Sequence, residues 1–468
     1  MLDGLKGKLF GKGNAETAKD NSQPLNAGEE RVFCLGVEDV FKLKGNDDLL
    51  VVGRVEGHIC ENDAIYISNP ADDDTPVGLS VAKELFIAQN KVKEVADGIV
   101  SVCVEGGAKL CLKPGTVIHS RSASVKSAHD AYINGLKNGL IGFRRMKLDG
   151  QMYDMMSVTD LAELYLLLSD FYKTADAVKD KDLIDGRQEI TSILTNKLLE
   201  KILNINEFYV PFNKKTGEPH MYSVTYINDN GDYVTEPPGI KIITKAYLSV
   251  VGKTFDPAVY EIRKIEKGEN GKGIYNFLGE TFYLNGACGI KLIYDRLSIA
   301  AGSLIDKPDY SGVPEINRPV TNPDVERWLL MIGQLNKATT PEEEKLHMTY
   351  YGHLFRELAN AKFVIPMQLK GEISELDKDG NAVIKKDSTM SIAVREGKGD
   401  RGAVSMFTDW KRMRMVYKEE DGWNALVQPI SQMIETFDCA INATEFTAAG
   451  CYIDKEFYEN SIKRHITG

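Results

Sequence analysis

The chain has 468 residues, too many for one hydrophobic core, so several domains are expected. An apolar fraction of 43% and a charged fraction of 27% are ordinary for folded protein and exclude extended disorder. With 57 Lys and Arg against 68 Asp and Glu, the net charge of −11 excludes broad electrostatic binding to nucleic acid, though not a local basic patch.

No run of about 20 apolar residues is present, so no membrane span is expected. Residues 1–10 lack the apolar stretch of a secretory signal, and 1–28, rich in Gly, Lys, Asn and Asp, read as a flexible tail. From 29 to 120, short β-branched runs (RVFCLGV, DLLVVGRV, AIYIS, GIVSVCV) alternate with Gly, Asn and Asp, the pattern of an all-β barrel. Helical periodicity follows at 124–139, 160–172 and 189–203. Strands are expected in EFYVPF, MYSVTYI and IKIITKAYLSVV. Around Asn228–Asp232, Asn230–Gly231 is a strong hairpin signal, since both turn positions need positive φ. Prolines 308, 314, 319 and 323 make 306–323 a linker. Helices are then expected at 324–337 and 341–360, the second capped by Thr340 with Pro341 in its first turn. Strands KFVIPMQL and STMSIAV follow, with a hairpin at Asp379–Gly380.

Two matches suggest an internal duplication. Residues 207–211 (EFYVP) align with 362–366 (KFVIP), each directly after a long helix. Residues 286–299 align with 448–462, pairing Cys288 with Cys451 and Ile290 with Ile453.

Three segments of the first region, Glu38-Asp39-Val40-Phe41, Val52-Gly53-Arg54-Val55-Glu56 and Lys113-Pro114-Gly115-Thr116-Val117, resemble the second domain of elongation factor Tu. The resemblance implies a closed β-barrel at 29–120, with Arg54 and Glu56 on one strand face as candidate interaction residues. It departs from the family at Gly45-Asn46-Asp47-Asp48 and at the acidic run Asp72–Asp74, which would repel phosphate. The C-terminal part resembles the SseB family through KFVIPM, the AVSMFTDW segment at 403–410 and a closing Cys-x-Ile strand. That resemblance implies an α/β domain at 324–468 and a diverged copy within 121–305 that lacks a clear Phe-Thr-Asp-Trp equivalent. Phe407, Asp409 and Trp410 are the candidate partner contacts there, with core packing and an Asp helix cap as the simpler account. The expected fold class is thus multidomain: an all-β barrel followed by two α+β domains.

No catalytic constellation is legible. The G-x-x-x-x-G-K-[S/T] loop is missing, and GENGKG at 268–273 reads as a flexible loop with no strand-to-helix context, so no nucleotide is expected. His353 and Glu357 share a helix face without a third ligand, and the calcium-like 375–386 run has Lys386 where Glu is required, so no metal is assigned. Seven scattered cysteines without a C-x-x-C read as reduced and mostly buried, pointing to the cytoplasm. No cofactor is expected. The resulting expectation is a non-enzymatic cytoplasmic adaptor that binds protein partners. The alternative is a translation- or ribosome-associated factor whose barrel contacts RNA or ribosomal protein without GTPase activity; net acidity favours the adaptor.

Overall fold

The structure, a computed structural model, describes residues 31–70, 78–142, 150–174, 179, 181–292, 295–314, 317–370, 373–376, 382–384, 389–398 and 400–466. They fall into two compact units that divide between Gly139 and Leu140.

The first unit is built on β1 (Phe33–Lys42), β2 (Leu49–Cys60), β3 (Ala64–Ser68), β4 (Gly78–Ile87), β5 (Asn90–Val92), β6 (Glu94–Val104) and β7 (Val117–His119). The strand order is β3-β7-β1-β2-β6-β4, and β4 pairs back onto β3, closing a six-stranded antiparallel barrel; β5 extends β4 as a hairpin. Closure leaves no open sheet edge among these six strands. Alternation does the sorting: Leu49, Val51 and Val55 of β2 enter the core beside Leu35, Val37, Ile65, Leu85 and Val102, while Arg54 and Glu56 face outward. The helix α1 (Val125–Gly142) covers β1, whose two faces are therefore both buried. A Cβ on Gly36 would lie 1.9 Å from the Ala131 carbonyl oxygen, so only glycine permits this approach. The expected domain boundary at 120/121 lies before α1, whereas the compact division at 139/140 falls near the end of α1. In the 45–48 loop Asp48 turns inward, accepting from the Gly106 N–H at 2.9 Å and pairing with Lys83 at 3.0 Å. The run Asp72–Asp74 lies outside the described residues.

The second unit opens with α2 (Gly150–Met155), α3 (Val158–Tyr172) and α4 (Lys181–Asn204). Then come β8 (Glu207–Asn213), β9 (Met221–Tyr222), the hairpin β10 (Thr225–Ile227) and β11 (Tyr233–Thr235), β12 (Gly239–Lys241), α5 (Lys245–Val251) and β13 (Tyr260–Glu266). This half ends with α6 (Gly273–Tyr283), β14 (Gly289–Leu292), β15 (Leu297–Ala300) and α7 (Ala301–Leu304). The other half begins with α8 (Pro323–Gly333), α9 (Pro341–Asn360) and β16 (Lys362–Lys370). It continues through the hairpin β17 (Ile373–Leu376) and β18 (Ala382–Ile384), then β19 (Thr389–Ile392), β20 (Val394–Arg395) and β21 (Ala403–Met406). Last are α10 (Trp410–Val416), β22 (Asn424–Pro429), α11 (Ile430–Met433), β23 (Asp438–Ile441), β24 (Cys451–Ile453) and α12 (Lys455–Phe457).

The two halves share a plan. One sheet runs β15-β14-β12-β9 and the other β24-β23-β21-β20, each with a parallel pair in the middle, β12 with β14 and β21 with β23. β8 pairs antiparallel with β13 as β16 does with β22. The strand after the first helix pair is bridged to the chain just past the central strand at matching positions, Tyr209 to Ile243 and Val364 to Phe407. By this correspondence Ile243-Thr244-Lys245-Ala246 stands where Phe407-Thr408-Asp409-Trp410 stands, so the missing equivalent exists in space but not in side-chain chemistry.

Several expectations need correction. The 207–211 and 362–366 match falls on corresponding strands, but the second match slipped by one: Ile290 lies on β14, which corresponds to β23, whereas Ile453 lies on β24. Similar short apolar runs recur on adjacent strands, so sequence similarity alone could not fix the register. The hairpin at 228–232 forms between β10 and β11, but not with both turn positions at positive φ. Only Gly231 has positive φ, and the Asn228 carboxamide oxygen accepts from the N–H groups of Asn230 and Asp232. GENGKG does lie between a strand, β13, and a helix, α6; its amides are turned on the loop itself, Gly271 N–H to Gly268 and Gly273 N–H to Lys267, rather than outward to a phosphate. Pro323 opens α8 instead of closing the linker. The turn at 379–380 and most of the 375–386 run lie outside the described residues. All seven cysteines are free, but Cys111 is exposed in a left-handed turn rather than buried. No helix among the described residues is long and apolar enough to cross a membrane.

Candidate functional site at the seam of the α/β unit

The Phe-Thr-Asp-Trp segment leaves the buried strand β21 and enters α10. Phe407 is 2% exposed, bridged to Val364 and packed against Met413. Asp409, also 2% exposed, caps α10: its Oδ1 accepts from the Arg412 N–H at 3.0 Å. Neither reaches a partner surface, which corrects their assignment as contacts. Trp410 is half-buried, with the Arg414 guanidinium 5.3 Å from its ring centroid. Arg54 and Glu56 are exposed on β2 with no ion pair between them among the described residues; Arg54 lies opposite the exposed Ile99 of β6.

Asp409 belongs to a buried charged cluster that motif reading missed. Arg412 donates to Asp409 Oδ2 at 2.5 Å and to Asn285 Oδ1 at 2.7 Å, and its Nη2 lies 3.0 Å from Glu326 Oε1 and 3.6 Å from Glu218 Oε1. Glu326, 0% exposed on α8, also accepts at Oε2 from Thr408 Oγ1 at 3.0 Å and Asn442 Nδ2 at 2.7 Å. Burial, incompletely offset by Arg412 and opposed by the neighbouring Asp409 and Glu218, lifts the Glu326 carboxyl to about 7. Burial works against the charge of Arg412, but Glu326, Asp409 and Glu218 outweigh it and hold the guanidinium above its usual range. In the other half the place of Thr408 is taken by Thr244, whose hydroxyl meets that of Thr159 at 2.7 Å, an uncharged pair. The charges are therefore particular to one half, and through Asn285 and Glu218 they reach into the other.

The rest of the seam is polar and close. The Gln334 amide accepts from Met221 N–H at 3.0 Å and donates to the Pro219 carbonyl at 3.2 Å. Lys215 donates to the Leu335 carbonyl at 3.1 Å, and Arg327 donates to the Gly286 carbonyl at 2.5 Å. His220, half-buried near it, sits edge-on to Tyr260 at 4.9 Å, and its Nδ1 has no hydrogen-bond partner among the described residues. Burial depresses its imidazole to about 4. Such shifted groups mark active sites when they line a cavity; here they are packed against protein. His353 stacks on Trp328 at 4.3 Å, which accounts for its place on α9 without a metal.

Two surfaces remain open. On the outer side of α9, Met348 (68% exposed), Tyr351 and Phe355 fall on one stripe that continues to Phe457, with the Phe355 and Phe457 rings edge-to-face at 5.2 Å. On the barrel, a cleft of about 380 Å³ is lined by Arg31, Phe33, Asp63, Tyr66, Ser120 and Arg121. The Tyr66 ring there stacks with His119 at 6.1 Å.

Likeness to known proteins adds little to this geometry. No protein-family model matches the chain, and no curated protein matches it. Among solved structures, GDP-bound aIF5B from Aeropyrum pernix is similar at 10% identity and a TM-score of 0.17, over 54% of this chain and 60% of that one. The chain thus spans less than two thirds of that structure, and a likeness this slight supports no argument. The firm assignment is architectural. The protein is a multidomain chain with an N-terminal closed β-barrel, as the translation-factor resemblance implied, followed by mixed α/β regions.

Proposed function

We propose that the chain is a non-enzymatic protein-binding adaptor whose α/β unit arose by duplication of an SseB-like domain. The shared strand order and the matched bridges at Tyr209 and Val364 support the duplication. The observation that carries the binding role is the Met348–Tyr351–Phe355–Phe457 stripe: an aromatic and thioether face on a long helix, suited to an apolar segment of another protein. The strongest acid–base cluster, around Glu326 and Arg412, is spent on joining the halves. Affinity capture with crosslinking from the native cell tests the proposal. Wild-type protein is expected to crosslink a partner next to α9, and Met348→Glu with Tyr351→Ala to lose it while remaining folded, since both side chains are exposed. Retention of the partner by that variant would remove the stripe from the argument.

A second reading is an RNA or ribosomal contact made by the barrel. The cleft favours it, since Arg31 and Arg121 beside the Tyr66–His119 stack offer cation and stacking surface together. Ribosome co-sedimentation that is lost at high salt and in Arg31→Glu, Arg121→Glu would promote this reading over the first.

A further inference from the structure

His58 and Cys60 alternate on β2 and so project from one face of the strand, and Glu94 on β6 is the cross-strand partner of Cys60. Their ligand atoms converge. His58 Nε2 is 3.2 Å from Glu94 Oε2, and Cys60 Sγ is 3.9 Å from each of them. We propose that these three side chains form a zinc(II) site on the outer wall of the barrel, with three protein ligands and a fourth position open to solvent.

The donor set is one thiolate, one imidazole and one carboxylate. That mixture suits a borderline-soft ion of tetrahedral preference and not calcium or magnesium, which take oxygen alone. With zinc–sulfur near 2.3 Å and zinc–nitrogen or zinc–oxygen near 2.1 Å, the edges of a tetrahedron are about 3.3–3.6 Å. The two sulfur edges, at 3.9 Å, need to close and the nitrogen–oxygen edge, at 3.2 Å, to open, each by only a few tenths of an ångström. His58 and Cys60 are half-buried and Glu94 is exposed, so the fourth direction faces water.

The backbone is also shaped for the task. β2 carries an extra residue between Val55 and His58, a bulge at which Gly57 has φ +89° and donates its N–H to Asp97 Oδ1 at 2.8 Å. Asp63 Oδ2 accepts the Cys60 N–H at 2.7 Å, and Arg31 holds Asp63 at 3.5 Å. The Gly57 and Asp63 contacts fix the strand on both sides of the ligands through backbone N–H groups; Arg31 also reaches the Cys60 side chain, a contact that zinc would displace. Zinc there would tie β2 to β6 at one end of the barrel.

The test uses the full chain, stripped with chelator under reducing conditions and titrated first with cobalt(II), then with zinc(II). One equivalent of cobalt is expected to give a thiolate-to-metal charge-transfer band and the intense visible bands of a four-coordinate ion, both lost when zinc displaces it. Cys60→Ser is expected to abolish the charge-transfer band, and His58→Ala and Glu94→Gln each to weaken zinc binding by at least about tenfold. All three positions are on the surface, and circular dichroism verifies that each variant is folded. Zinc is also expected to protect Cys60, and not the exposed Cys111, from alkylation read by peptide mass spectrometry. A charge-transfer band that persists in Cys60→Ser, protection of Cys111 instead, or less than one equivalent bound by the wild type would overturn the site.

Discussion

Glu326, buried, and His220, half-buried, are both titratable, and they pull the stability of the α/β unit in opposite directions with pH. Glu326 is raised from 4.5 to about 7, so between those values the native state keeps a proton that the unfolded chain has released. Its contribution is full below about pH 4.5 and is lost as pH rises through about 7. His220 is lowered from 6.5 to about 4, so its contribution is full above about pH 6.5 and is lost as pH falls through about 4. Either shift amounts to about 3 kcal/mol. Between pH 4.5 and 6.5 the two slopes oppose each other. Glu326→Gln is therefore expected to leave stability rising with pH across that interval, and His220→Gln to leave it falling, as read from urea midpoints at a series of pH values. Equal slopes in the two variants would mean that other groups control the titration. Neither residue stood out in the sequence. Glu326 sits one helical turn into an ordinary amphipathic pattern, and its partners Arg412, Thr408 and Asn442 come from distant elements.

At the scale of elements, what was legible was whatever local chemistry fixes. The helix α9 runs over 341–360 as expected because Thr340 and Glu343 cap each other reciprocally, with Pro341 in the first turn and three glutamates at the positive end. Thr340→Ala is expected to cost about 1 kcal/mol, measurable by chemical denaturation, while Thr339→Ala, outside the cap position, costs less. The barrel strands were legible for the same kind of reason, since β-branched alternation with Gly and Asn between runs encodes a pleated, half-buried surface. What failed were statements that depended on pairing. The second duplication match slips by one strand, whereas Phe407 and Asp409 fit the simpler account of the Phe-Thr-Asp-Trp turn, core packing with an Asp helix cap. A strongly patterned aromatic–acidic turn has the same composition whether it packs inward or faces a partner. Likewise His58-x-Cys60 lay in plain view at strand spacing, but Glu94 joins it only through the β2–β6 register.

For the whole molecule, the compact division at 139/140 leaves most of α1, residues 125–139, with the barrel. A fragment covering 31–142 is expected to unfold cooperatively, and one ending at 120 to be less stable in urea, because removing α1 exposes the outer face of β1 around Gly36 and leaves Glu38 without Asn138, its partner at 3.0 Å. Equal stability of the two fragments would restore the boundary at 120. By itself the sequence determined the class of each region, a barrel followed by α/β segments, together with the helix caps and the inward sides of the strands, because periodicity and capping are local. Only the tertiary structure decided which strand pairs close the barrel, which strands of the two α/β halves correspond, that Arg412 and Glu326 are buried at their seam, and that His58, Cys60 and Glu94 meet. Each of those rests on contacts between residues far apart in the chain, whose register is set by packing rather than by neighbours in sequence.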